Sequence, residues 1–357
     1  MLYIDFSTPP NLNELLPKLQ AVLGQEEANI FRETFDFYYT LNPDFLKVTT
    51  SGSTGTPKTF TFSRRAVSTS IEGTAKALNL GEGITAALAL PLRYIAGRMM
   101  LLRAMHFKWK LLWNKPTLRL PDLPDIDFAA LTPAQVSEST HVLDSIQTLL
   151  LGGSAISDAM LSTIRQKAKH AVYQSFAATE TLSNFALRQL APEYQEFYTT
   201  LPGVHIRVDE QSRLWIHYPG ITADFITTGD VVNLQSPTSF VWRGRADFVI
   251  NSGGVKVHPE FLEAQLSEAL PDKRFIITSV PDERLGEAVA MVIESPMALD
   301  SDDLKSTLEK IASKKGLLKH LLPRVYTTVP QLPVTPTGKL DRIKIKEWTQ
   351  ETFSKQL

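Results

Sequence analysis

The chain has 357 residues, 43% of them hydrophobic, a formal net charge of -1 and no cysteine. That length exceeds one typical core, so two domains are expected. The near-neutral charge argues against nucleic acid or an anionic membrane surface as a partner, and the missing cysteines exclude disulfides, iron–sulfur ligation and a thiolate nucleophile.

The first residues, MLYIDFSTPPNLNELL, lack a basic region followed by a continuous apolar core, so no signal peptide is evident. The longest apolar runs are too short to cross a bilayer. The expectation is a cytoplasmic protein with no membrane insertion. Leu15, Leu16, Leu19 and Leu23 recur at helical spacing within Asn11 to Leu23, and Glu26 to Tyr39 reads as a second helix.

Leu46 to Thr49 and Phe60 to Phe62 read as strands flanking TTSGSTGTPKTF. In that stretch Thr50, Ser51, Gly52, Ser53, Thr54 and Gly55 precede Lys58, with no bulky side chain between. Open backbone N–H groups, hydroxyls and one cation suit a polyphosphate, because concave runs of N–H groups bind anions. The common phosphate loop needs a Gly directly before its Lys, and Pro57 stands there instead. A Gly/Ser/Thr linker is the alternative, but the run is short and apolar residues hem it in.

Ser63 is placed to cap a helix over Arg64 to Leu78. Ile84 to Leu90 reads as a buried strand, Gly97 to His106 as a helix and Lys108 to Trp113 as a strand. Arg93, Arg98 and Arg103 are spaced by five, about 140° apart on a helix, so at most one aims into a given pocket. Solvation or surface ion pairs would otherwise account for them. Phe128 to Leu131 and Thr148 to Leu151 are short apolar strands. Strands alternating with helices predict an α/β sheet.

LLLGGS ends the latter strand on Gly152 and Gly153, with Ser154 next and Ser157 capping a helix. Glycines at a strand end let a ligand approach the backbone, or simply make a tight turn. In VYQSFAATETLSNFALR, Tyr173 and Phe176 could cover a flat ligand. Glu180, between Thr179 and Thr181, suits Mg²⁺ or equally a helix start. His205 to Tyr218 alternates as a hairpin. Ala223 to Leu234 reads as a strand pair with Gly229–Asp230 at its tip. A junction is expected near Arg245 to Asp247. It is followed by Gly253–Gly254, a helix over Pro259 to Leu270, strands at Arg274 to Val280 and Ala288 to Ile293, a helix over Asp302 to Ser313 and a strand at Arg324 to Val329. The end, LPVTPTGKLDRIKI, carries Lys339 in a Pro/Thr-rich loop.

Taken in order, TSGSTGTPK, the Gly-Gly turn, ATET, TGD, GRADFVINSGG and PTGK resemble the adenylate-forming superfamily of acyl-CoA ligases, luciferases and peptide-synthetase adenylation domains, over about residues 46–347. The resemblance implies an α/β large N-terminal domain over 1–245 and a small mobile α+β domain over 246–357. It implies ATP, Mg²⁺ and coenzyme A as cofactor and co-substrates, and a small-molecule carboxylic acid as substrate. Thr50 to Lys58 would close over the β- and γ-phosphates. Gly152, Gly153, Ser154 and Phe176 would enclose adenine. Glu180 would hold Mg²⁺, with Thr179 and Thr181 at the α-phosphate, and Asp230 and Arg245 would grip the ribose. Asp247 matches the hinge, Lys339 the residue stabilising the adenylation transition state, and Ser252, Gly253 and Gly254 the pantetheine channel.

Family members usually carry a large segment ahead of the phosphate loop, so a shortened large domain is implied. Phe176-Ala177-Ala178 replaces the usual Tyr-Gly-Met type of sequence. LPLRYIAGRMMLLR, residues 90–103, is similar to the corresponding region of the o-succinylbenzoate–CoA ligases of menaquinone biosynthesis, and Arg103, or else Arg98, falls where a substrate carboxylate is held. A ligase for another aryl or medium-chain acid, a non-catalytic nucleotide-binding relative and a carrier-loading adenylation protein remain open.

Overall fold

The computed structural model describes residues 1–40, 43–49, 59–271, 273–297, 300–335 and 340–354. Thr50 to Lys58 and Lys339, both assigned roles above, lie outside them.

A twelve-stranded sheet forms the larger part. At its heart, Lys110–Trp113, Thr85–Leu88, Ile126–Leu131, Ile146–Leu151 and Ala171–Ala177 run parallel as neighbours. The first four are the apolar runs expected from the sequence, and burial on both faces explains their lack of alternation, whereas Ala171–Ala177 was not anticipated as a strand and alternates in burial. Leu2–Asp5, not anticipated, pairs antiparallel with Lys110–Trp113 and closes one edge. Beyond Ala171–Ala177 the sheet turns antiparallel through Asn184–Ala191, Tyr198–Thr200, Ser239–Arg245, Ile226–Ser236, Arg213–His217 and His205–Val208.

The helices follow the sequence signals. Asn11 caps Leu12–Leu23, accepting from the Asn13 N–H, and Ser63 caps Arg64–Ala77, accepting from Ala66 N–H. The second expected helix, Gln25–Phe35, passes into a π-helical turn at Asp36–Thr40. Phe45–Thr49 and Thr59–Ser63 pair antiparallel in full register, as the hairpin reading requires. Helix Ile95–His106 is buried on almost every face, Arg103 included.

The large sheet's last strand ends at Arg245, and a second sheet begins at Ile250. There Ile250–Ser252 and Val255–Val257 form a hairpin over Gly253–Gly254, both in the left-handed region. Gly286–Glu294 runs beside Phe275–Asp282 and, in parallel, Val325–Val329. Helices Pro259–Leu266, Ser301–Lys314 and Arg342–Ser354 cover this sheet. Helix Pro259–Leu266 also packs on strand Ser239–Arg245, with the Arg243 guanidinium 4.4 Å from the Phe261 ring centroid.

One expectation needs correction. Ala223 to Leu234 is not a strand pair: Ile226–Ser236 is one strand, and Gly229–Asp230 lies inside it. Between the pairings of Trp215 with Thr227 and of Arg213 with Val231, three residues oppose one. Gly229, at φ +78°, absorbs this bulge, which aims Asp230 inward. A helix not anticipated from the sequence, Arg342–Ser354, follows the Lys339 segment.

Candidate active site

The C-terminal ends of two parallel strands, Ile146–Leu151 and Ala171–Ala177, carry the Gly152–Ser154 and Phe176–Thr181 candidates. Strand Ile146–Leu151 ends on Gly152, where an added Cβ would sit 2.8 Å from the Ser175 hydroxyl, so the backbone is held close to the neighbouring strand. Gly153 takes φ +94°, and Gly153 and Ser154 are exposed. Phe176, on the next strand, is half-buried. Four rings buttress it edge-on, Phe185, Tyr198, Phe240 and Trp242, with centroids 5.0–6.4 Å away. Such a ring is fixed by its neighbours while staying partly exposed.

Three residues further on, Thr179–Thr181 makes a single helical turn. Glu180 is exposed and has no ion pair among the described residues. Thr179 is half-buried beside it. Thr181 faces the interior: it is fully buried, and its hydroxyl points at the Ala178 and Ser183 carbonyls. With its single hydrogen committed, it cannot donate to a phosphate, which corrects the reading given to it above.

Asp230 and Arg245 face each other as register partners on adjacent strands. Asp230 is 9% exposed, and its carboxylate accepts from Trp242 Nε1 at 2.9 Å and from the Thr228 hydroxyl. Burial raises its pKa, the two hydrogen bonds and Arg245 oppose that, and the Glu180 charge adds to it. Asp230 and Glu180 are therefore close enough to feel each other. A carboxylate has about four lone-pair sites, so two remain for hydroxyls. Arg245 donates to the Thr228 carbonyl and, at 2.7 Å, to Asp247, which is exposed.

In the second sheet, Ser252 is 9% exposed, while Gly253 and Gly254 are exposed at the hairpin tip. Arg342, three residues after Lys339, donates to both oxygens of Glu263, one at 3.0 Å. That pair anchors the stretch leading out of the Lys339 segment.

The three spaced arginines separate cleanly. Arg93 is exposed over the Tyr94 ring. Arg98 donates to the Leu92 and Lys47 carbonyls and lies 3.6 Å from Glu33, so it braces the Phe45–Thr49 strand rather than facing a ligand. Arg103 is neither solvated nor paired with a surface carboxylate: it is 3% exposed. It donates to the Thr74 hydroxyl at 3.0 Å and the Asn184 side-chain oxygen at 3.4 Å, and its Nε has no partner. Burial pulls its pKa down to about 10, which leaves it charged at neutral pH. Ser70, Ser183 and Tyr218 complete a neutral surround. Asn184 lies opposite Ala177 in the sheet, so this cation sits beside the strand end that carries Phe176 and leads to Glu180. Sequence reading missed Thr74, Asn184 and Tyr218, although Ser70 and Thr74, four apart on one helix face, were a usable signal.

Among the described residues no cluster of three His, Asp or Glu side chains forms a metal cage. Magnesium needs none, since one or two carboxylates plus substrate phosphates suffice. Glu180, exposed and without an ion pair among the described residues, fits that requirement.

This architecture, a large mixed sheet followed by a smaller α+β part, is that of the adenylate-forming enzymes. Residues 48–215 match the family model described as AMP-binding enzyme. An acyl-CoA synthetase (AMP-forming)/AMP-acid ligase II-like protein from Dyadobacter fermentans is 29% identical with a TM-score of 0.61, covering 97% of this chain and 99% of that one. The 2-succinylbenzoate–CoA ligase of Listeria monocytogenes is 25% identical over 57% of this chain and 46% of its own length. The chain thus spans about half of that relative. The o-succinylbenzoate–CoA synthetase of Bacillus subtilis, solved with ATP and magnesium, shares the fold at 19% identity and a TM-score of 0.69, covering 84% of this chain and 69% of that one.

Proposed function

We propose that the chain is an AMP-forming acid–thiol ligase whose substrate is o-succinylbenzoate, which would place it in menaquinone biosynthesis. In the first step a substrate carboxylate oxygen bonds to the α-phosphorus of ATP as the bond to pyrophosphate breaks. In the second, the sulfur of coenzyme A bonds to the acyl carbon, AMP leaves and the thiol proton passes to solvent. Phe176 and the Gly152–Ser154 backbone would hold adenine, and Asp230 and Arg245 the ribose. Glu180 would hold Mg²⁺, whose contribution when bound is to neutralise phosphate charge. Lys339 would offset the charge that develops in attack, a contact of a kind worth about 3–4 kcal/mol. Residues 1–245 and 246–357 would be the two domains, rotating about Asp247 between the steps.

The observation that carries the choice of acid is Arg103. A buried, charged guanidinium surrounded by neutral groups, with one nitrogen unpartnered, is unfavourable unless something anionic joins it. A dicarboxylate activated at one end presents its second carboxylate there. The test is pyrophosphate release with MgATP over a panel of acids. Release should be greatest with o-succinylbenzoate, and Arg103→Met should lose that acid selectively while keeping residual turnover of monocarboxylates. Equal loss with all acids would reject Arg103 as the selecting group, and a different preferred acid would reject the substrate.

A further inference from the structure

Away from the site just described, a cleft of about 330 Å³ opens between the two sheets. One wall is Val231 and Arg243, on strands Ile226–Ser236 and Ser239–Arg245. The other is Lys256, His258 and Phe261 around the start of helix Pro259–Leu266, with Leu321 at the base. This volume is at the lower end of the ~300–1,000 Å³ that small-molecule sites occupy.

Its chemistry is one-sided. Arg243 and Lys256 have no carboxylate partner among the described residues. The nearby acids are engaged elsewhere: Glu263 pairs with Arg342, and Glu260 lies against Gly244 with Arg342 at 3.8 Å. His258 Nδ1 is buried without a hydrogen-bond partner. Burial, then Arg243 and Lys256, lower the pKa of His258, which confirms that the three groups are close. Val231, Leu321 and the Phe261 ring supply an apolar floor, and Arg243 stacks on that ring.

We propose that this cleft is a second anion site, for a phosphate-bearing molecule with a flat apolar body. The phosphate lies between Arg243 and Lys256, within reach of His258, and the flat body lies against Phe261 and Val231. Guanidinium and ammonium together match a phosphate's several oxygens, and phosphate is the anion for which such pairs are best suited. Because one wall belongs to the large sheet and the other follows Asp247, an occupant joins the two parts in the orientation seen here. It therefore slows any cycle that needs them to rotate; this consequence alone rests on the ligase reading.

Phenyl phosphate is a direct probe. Calorimetric titration is run with the nucleotide site saturated with AMP, and Lys256 acetylation by acetic anhydride is followed by mass spectrometry. The expected result is binding at one site that weakens at least about tenfold in an Arg243→Gln, Lys256→Gln double variant. Lys256 acetylation should slow when the probe is present, inorganic phosphate should bind less tightly, and phenol should not bind. Heat that vanishes with AMP, or Lys256 acetylated at the same rate with and without the probe, would overturn the proposal. The acetylation arm uses the unmodified protein and stands even if the double variant fails to fold. Neither arm needs an acid substrate, so failure here is separable from failure of the ligase reading.

Discussion

Arg103→Met should leave stability nearly unchanged while removing the response to a dicarboxylate. The guanidinium is fully buried, and burial pulls its pKa down to about 10. At about 1.4 kcal/mol per pKa unit, that depression corresponds to a cost on the order of 3 kcal/mol in the folded state without ligand. Methionine has similar bulk and no charge. The substitution also loses the bonds to Thr74 and Asn184, about 1.5 kcal/mol each for a charged donor in long bonds. Neither partner is stranded, since Thr74 donates to the Ser70 carbonyl and Asn184 Oδ1 accepts from the Ser183 hydroxyl. The two nearly cancel, so the net expectation is a stability unchanged to within about 1 kcal/mol and a Tm that barely moves for a chain this long. The balance holds across neutral pH, because the depressed pKa of a base makes the folded state bind fewer protons only above about pH 10. Thermal unfolding with and without o-succinylbenzoate is the assay. The acid should raise the wild-type Tm and leave that of the variant unmoved. A loss of more than about 2 kcal/mol would show that the arginine already has its counter-charge within the protein, and the reasoning from an unpaired cation would fail.

Gly73→Ala should destabilise by about 2 kcal/mol although alanine is the better helix former, because its Cβ would overlap the Tyr218 hydroxyl. Tyr218→Phe in the same chain should recover most of that loss, and a double-mutant cycle from urea unfolding measures the coupling. Glu260 is held by burial at a pKa of about 7, its side chain 9% exposed. A raised carboxylate pKa gives stability that is full below its unfolded value and lost as pH rises through about 7. Glu260→Gln should therefore match the wild type near pH 5 and exceed it by about 2–3 kcal/mol near pH 8, and chemical unfolding at the two pH values checks this. A wild type whose stability, relative to the variant, is flat across that range would refute the burial argument.

Much of the fold was legible because local chemistry and tertiary packing agree. Ser63, Ser157 and Asn11 cap the helices that follow them, and the apolar runs at Ile126–Leu131 and Ile146–Leu151 became central parallel strands. Where the reading failed, a local signal had two physical meanings. Gly229–Asp230 reads as a turn, but its positive φ serves a bulge within a strand. The final helix was hidden because Ile343 and Ile345 alternate with lysines at the period of a strand. Strands Leu2–Asp5 and Tyr198–Thr200 are short, and only their pairing with distant strands defines them. In the site, Glu180, Asp230 and Arg245 stood out through motif context. The surround of Arg103 did not, because Thr74, Asn184 and Tyr218 come from three separate segments that only the folded chain brings together.

The most direct test of the ligase reading is to look for the mixed anhydride itself. The protein is incubated with o-succinylbenzoate and MgATP without any thiol, quenched, and analysed by mass spectrometry. The expected result is about one equivalent of o-succinylbenzoyl-adenylate per chain, far less with Glu180→Gln, and conversion to the thioester with release of AMP once coenzyme A is added. ATP bound with no adenylate formed from this acid or any other carboxylic acid would contradict it.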